Sequence, residues 1–201
     1  MKIYHYTKCN RLDSIFNDGF IATEMKRTLN TAPKFTDNVW FTEKPQYPKT
    51  ALPRLSMFTE TDLMLHVMHK QVHVDLDKIG AIFGSFYRFG FDSTDTRFKK
   101  WWYSDERLVI REQADWIRME SVANKVGDDV RAFWIAEKDV ALENFSLEEH
   151  VDGGWKTILS NTSLSNLSSK ERDVIEKLKE VSYQKCMEFN IPTYEPLPIA
   201  A

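Results

Sequence analysis

The chain opens on an alternating pattern and then changes period. Ile3-Tyr4-His5-Tyr6-Thr7 reads as a strand, and Leu12, Ile15 and Phe16 recur at helical spacing until Gly19 stops them. A strand placed so early is expected to have no domain before it. From Phe20 to Asn38 the sequence turns polar, and Thr23, Thr28, Asn30, Thr31 and Pro33 interrupt any periodicity, as in a long loop of the kind that serves as a lid. Val39-Trp40-Phe41-Thr42 is a short, buried, β-prone strand. Pro45, Pro48 and Pro53 then fix an irregular segment, with a short helix expected around Lys49 to Leu52.

Farther along, Thr61 to Met68 suits either a short helix or a buried strand, and Val72, Val74 and Leu76 alternate with polar residues as in a strand. Ile82 to Asp92 is the longest strand-like run; Gly84 and Gly90 mark a bend, a bulge or the close approach of a ligand, and Arg88 is its one charge in mid-run. Ser93-Thr94-Asp95 caps a turn that leads into Trp101-Trp102-Tyr103. Leu108 to Ile110 and Val130 to Ala136 read as strands, Glu112 to Trp116 as a helical turn or helix, and Val140 to Leu142 as one strand more. Gly153-Gly154 reads as a turn, and Asn161 to Ser169 as a linker. Ser168 with Glu171 forms a capping box, which predicts a helix over Lys170 to Phe189 ahead of a proline-rich tail.

Six or seven short strands with few helices, in no alternating βαβ order, predict an α+β fold. The expected organisation is one domain over residues 1–160, followed by a linker, a C-terminal helix and a tail over 161–201 that pack on it.

Composition narrows the function classes. The 201 residues are 42% hydrophobic and 28% charged, as in a folded globular protein, and the 13% aromatic share suits either a thick core or a pocket for planar rings. A net charge of −3 argues against a surface that grips phosphate backbones all round, although Lys26-Arg27 and Lys99-Lys100 are local basic clusters. Cys9 and Cys186 lack the spacing of a disulfide framework or a cysteine zinc site. No apolar run has the length of a membrane span and Met1-Lys2-Ile3 opens no signal peptide, so the cytoplasm is the expected compartment and no membrane partner is expected. His66, His69 and His73 stand at intervals of three and four, which suits metal ligands on one helical face. Apolar residues interleave them and Val72 onward reads as strand, so no metal is expected.

Three segments carry unusual side chains in or beside strands: His5-Tyr6-Thr7; Trp40-Phe41-Thr42 with Glu43; and Arg88 followed by Tyr103-Ser104-Asp105-Glu106. A lone strand histidine is by itself ordinary packing. Taken in order, however, Tyr4-His5-Tyr6-Thr7 with Leu12, Ile15, Phe16 and Gly19 resembles the first strand and helix of ADP-ribosyltransferase-like proteins. Val39-Trp40-Phe41-Thr42 resembles their second conserved strand. Tyr87-Arg88-Phe89, Trp101-Trp102 and Glu106-Arg107-Leu108-Val109 resemble their later strands and glutamate segment.

The resemblance covers roughly residues 1 to 120. It implies two small antiparallel sheets forming an NAD cleft with peripheral helices. His5, Tyr6, Thr7, Trp40, Phe41, Thr42 and Arg88 would line the cofactor site, and His5 and Glu106 would act in catalysis. Cleaving the nicotinamide–ribose bond develops oxocarbenium character that a carboxylate stabilises. No Gln-x-Glu or Glu-x-Glu includes Glu106, and Glu112 and Glu43 stand as alternative carboxylates.

The activity implied is transfer of ADP-ribose from NAD to a macromolecule, as in toxin–antitoxin or phage-defence proteins, with an antitoxin or inhibitor protein as a further partner. The Trp101-Trp102-Tyr103 run leans the acceptor toward nucleic acid, RNA or DNA, and the acidic balance leans it toward a protein side chain, so nucleic acid is the expected acceptor and a protein side chain the alternative. Two alternatives share the fold: an RNA 2′-phosphotransferase, which would want several basic residues converging on a phosphate, and a non-catalytic module that binds a nucleotide or a protein.

Overall fold

The structure, a computed structural model, describes residues 1–23, 38–48, 84–105, 107, 120, 123–124 and 127–188. In chain order the elements are β1 (Lys2–Lys8), α1 (Leu12–Asp18), β2 (Phe20–Ile21), β3 (Val39–Thr42), β4 (Phe86–Asp92), β5 (Lys99–Lys100), β6 (Phe133–Ala136), β7 (Val140–Ala141), β8 (Phe145–Val151), β9 (Gly154–Thr162) and α2 (Ser169–Glu188). Single 3-10 turns occupy Cys9–Arg11, Trp101–Tyr103, Val130–Ala132 and Leu164–Asn166.

Seven strands form one sheet in the order β5-β6-β3-β1-β4-β8-β9, and β2 with β7 forms a two-stranded sheet. The pairs β1·β3, β3·β6, β5·β6 and β8·β9 are antiparallel. The α+β class is therefore as expected, but the division into two small sheets is not. Among the described residues one large sheet takes up nearly all the strands. Part of its width is the β8–β9 hairpin, in a stretch where only a turn at Gly153-Gly154 is legible. Its turn has Asp152 and Gly153 at φ of 53° and 76°, the paired positive values that a tight hairpin needs. Most of β9 is exposed and polar, so it carries almost no hydrophobic signal.

The chain divides into two compact units, one of Met1–Tyr6, Ala22–Asp75 and Arg88–Val140, the other of Thr7–Ile21, Leu76–Tyr87 and Ala141–Ala201. In the first unit, Trp101, Ala123, Val130, Phe133 and Ile135 form a core against which Trp40 and Trp102 pack. Phe41 meets Phe91 and Phe98 edge-on at 5.7 and 4.8 Å. Much of the aromatic excess is thus core, where each ring removes a large apolar area from water. The expected strand from Val130 begins at Phe133 instead. The Asp129 carboxylate accepts the Arg131 N–H and turns the backbone through a 3-10 turn before β6.

In the second unit α1 buries Leu12, Ile15 and Phe16 and ends where Gly19, at φ 77°, donates its N–H to the Ile15 carbonyl at 3.0 Å. The Asp13 N–H, which has no partner within its own first turn, donates at 3.1 Å to the hydroxyl of Ser182, a fully buried residue of α2. The predicted capping box is present: Glu171 accepts from the Ser168 N–H and hydroxyl at 2.8 and 2.6 Å, and α2 runs to Glu188. The stretch expected as a linker instead continues β9 to Thr162 and adds a 3-10 turn, because the exposed face of β9 is as polar as a linker. Gly84, at φ 84°, sits where a Cβ would come within 3.0 Å of the Cys9 Cβ, so its close approach is to the protein's own side chains.

Most of the expected lid, the segments around Lys49 to Leu52 and Thr61 to Leu76, the strand Leu108 to Ile110, the turn Glu112 to Trp116 and the proline tail lie outside the described residues. Among the described residues no helix is long and apolar enough to cross a membrane.

Candidate functional site

In the first unit β3, β1 and β4 lie side by side, so His5 and Tyr6, then Trp40, Phe41 and Thr42, then Arg88 stand on three adjacent strands. Residue pairing fixes which of them share a face. Tyr4 lies opposite Thr42, Thr42 opposite Phe133, and Phe41 opposite Trp134, which itself faces Lys100. Side chains alternate along each strand, so the expected cofactor residues divide into two sets. His5 and Phe41 share one face, their rings 5.7 Å apart. Tyr6, Trp40, Thr42 and Arg88 belong to the other. Thr7, buried, falls in the second unit.

Three members of the second set hold one short piece of backbone. The Lys44 N–H donates to Thr42 Oγ1 at 3.1 Å, Tyr6 donates its hydroxyl to the Lys44 carbonyl at 2.8 Å, and Arg88 Nη1 donates to the Pro45 carbonyl at 2.5 Å. The Arg88 guanidinium also lies 4.2 Å over the Tyr4 ring, and Tyr47 meets Tyr6 edge-on at 5.1 Å. Burial pushes the Tyr47 hydroxyl far above its ordinary pKa, so it stays protonated. These groups order the turn after β3 by engaging the Lys44 N–H and the Lys44 and Pro45 carbonyls.

The face that carries His5 has a different chemistry. His5 Nδ1 lies 3.0 Å from the Trp40 carbonyl, which can only accept, so Nδ1 carries a proton and the ring is held by that nitrogen. Along the same row, Glu43 Oε2 accepts from Trp134 Nε1 at 3.2 Å and is ion-paired with Lys100. Lys100 also lies 5.0 Å over the Trp134 ring. Of the three candidate carboxylates Glu43 is the one the structure describes, and it is held by a cation and an indole. Glu106 and Glu112 lie outside the described residues, as do His66, His69 and His73. Among the described residues no group of three His, Cys, Asp or Glu is arranged to hold a metal.

Two functional-looking features have no clear signal in the sequence. One is the Glu43–Lys100–Trp134 cluster, whose members come from separate segments and meet only through register. The other is Glu120, which bonds Arg107 through Nε at 2.7 Å and Nη2 at 3.2 Å and accepts from Trp101 Nε1 at 3.2 Å. No family model, no curated protein and no solved structure matches the chain.

Proposed function

We propose that this chain is an NAD-dependent ADP-ribosyltransferase that moves ADP-ribose from NAD onto a macromolecule, in the setting of a toxin–antitoxin or phage-defence system. The observation that carries the reading is the fixed His5 ring, with Nδ1 tied to the Trp40 carbonyl and the ring 5.7 Å from that of Phe41. An imidazole held at one nitrogen suits a ribose hydroxyl at the other. In the reaction the bond between ribose C1 and the nicotinamide nitrogen breaks, nicotinamide leaves, and a nucleophilic atom of the acceptor bonds to C1 as its proton passes to a carboxylate. Glu106 is assigned that carboxylate role, with stabilisation of the developing oxocarbenium charge.

The test is incubation of the full chain with labelled NAD and a cell lysate, followed by nuclease or protease treatment of the product and assay of released nicotinamide. Labelled macromolecule is expected, with loss of label in His5→Ala and Glu106→Gln. Absence of both labelled product and free nicotinamide would sink the reading.

A second reading rests on Glu43, Tyr6, Thr42 and Arg88 all being engaged in structural contacts. A sheet of this kind also suits a nucleotide-binding module without turnover. Calorimetric NAD binding with no nicotinamide released would favour it.

A further inference from the structure

Beside the β3–β6 region, still within the first unit, the 3-10 turn Trp101–Tyr103 presents Tyr103 with 80% of its surface in water. A large ring left so exposed usually sits on a loose loop, but this turn is fixed at several points. Ser104 donates its N–H and its hydroxyl to the Trp101 carbonyl at 3.0 and 2.9 Å, and its hydroxyl accepts the Arg107 N–H at 3.2 Å. Trp101 is fully buried and bonded to Glu120, so the base of the turn is anchored in the core.

Next to Tyr103, the half-buried Trp102 ring lies 3.7 Å from the Arg107 guanidinium carbon and 5.1 Å from that of Arg131. Arg107 is clamped flat by its two bonds to Glu120, and Arg131 is exposed. The nearest acid in sequence to Arg131, Asp129, is engaged by the Arg131 N–H at 3.0 Å and by Lys44 at 3.6 Å. An exposed ring on an anchored turn, a second ring stacked with guanidinium groups, and an exposed arginine form a small aromatic and cationic platform. Planar bases stack on such rings, and the strand's phosphates meet the arginine.

The geometry points to Tyr103, Trp102 and Arg131 as a binding platform for single-stranded nucleic acid, with Tyr103 stacking on a base and Arg131 contacting a phosphate. The platform rests on the transferase reading only in naming the acceptor class; the binding it describes needs no NAD. A duplex keeps its bases stacked internally and offers the ring no face, so it binds more weakly than either of its strands.

The experiment is fluorescence anisotropy of fluorescein-labelled, mixed-sequence 12-mers of single-stranded DNA, single-stranded RNA and the corresponding duplex, titrated with the full chain in the absence of NAD. Tyr103→Ala is expected to weaken single-strand binding by about tenfold, Tyr103→Phe to leave it unchanged, and Arg131→Gln to flatten the salt dependence by about 0.7 in log–log slope. Melting curves matching wild type confirm that the exposed substitutions leave the fold intact. The DNA and RNA arms identify which strand is preferred. Equal affinity of wild type and Tyr103→Ala, preference for duplex, or no single-strand binding overturns the platform. Oligonucleotide binding with neither labelled product nor released nicotinamide once NAD and cell lysate are added overturns the transferase and leaves the platform standing; label on protein without oligonucleotide binding does the reverse.

Discussion

His5 Nδ1 and the Trp40 carbonyl oxygen lie 3.0 Å apart across neighbouring strands, and that single bond sets which imidazole nitrogen can receive a hydroxyl. His5→Gln keeps some reach and His5→Ala keeps none. If Nε2 accepts a ribose hydroxyl, kcat/KM for NAD falls by about tenfold to a hundredfold in His5→Ala, the range of one missing hydrogen bond of about 1–3 kcal/mol. His5→Gln should fall less. Steady-state nicotinamide release measures both, and an alanine variant within twofold of wild type removes His5 from the site.

Arg88 lies with its guanidinium over Tyr4 and its Nη1 on the Pro45 carbonyl. Arg88→Met is expected to lower unfolding stability by about 2–4 kcal/mol, because it removes a charge-assisted hydrogen bond and a desolvated cation–π interaction together. Arg88→Lys should restore little, because an ammonium lacks the planar fork that satisfies both. Urea unfolding followed by tryptophan emission gives the number. A lysine variant as stable as wild type would rule out the planar fork as the stabilising feature.

Lys8, partly buried beside Arg11, has its pKa lowered from 10.5 to about 8, chiefly by desolvation and then by the arginine's charge. The folded-state value lies below the unfolded one, so holding this amine charged opposes folding. That cost is complete below about pH 8 and disappears as the pH rises to 10.5. Lys8→Met keeps the aliphatic stem. At pH 7 it should raise the melting temperature by about 2–4 °C, less than full burial would give, because part of the group remains in water. The difference between variant and wild type should close by pH 10.5, and a gap that widens instead refutes the sign.

The Ser168–Glu171 box works in the opposite direction. The Ser168 hydroxyl and N–H hold the Glu171 carboxyl below its ordinary value of 4.5, so their contribution is full above that pH and is lost as the pH falls through the lowered value. Ser168→Ala should lower the melting temperature by about 2–4 °C at pH 7, the ordinary cost of a missing helix cap. At strongly acidic pH the difference should shrink. Calorimetry at the two pH values checks it.

Local chemistry is legible wherever one short segment settles it. Gly19 ends α1, Ser168 and Glu171 open α2, and the β-branched and aromatic run Val39–Thr42 forms a strand. The β8–β9 hairpin is not, because Lys156, Thr157, Ser160 and Asn161 face water and leave only half a pattern to read. The candidate site is legible as a set of segments and not as a surface. Sequence order places Tyr6, Thr42 and Arg88 beside His5, but register decides faces, and a single residue along a strand reverses them. The turn at Lys44 and Pro45, which absorbs the polar groups of three candidate ligands, is visible only once β1, β3 and β4 are adjacent.

Trp40 and Trp101 lie 5.2 Å apart with their rings inclined at 56°. Two indoles so close and so tilted couple their electronic transitions, so the pair adds to the aromatic circular dichroism band a contribution that neither ring would give alone. One partner sits on β3 and the other is sealed in the core of the first unit. The chain therefore carries its own unlabelled optical reporter. A ligand that reaches β3 changes the shape of that band before any bond is made or broken. If the band fades while helical ellipticity persists, the packing around Trp101 has opened while α1 and α2 are still wound.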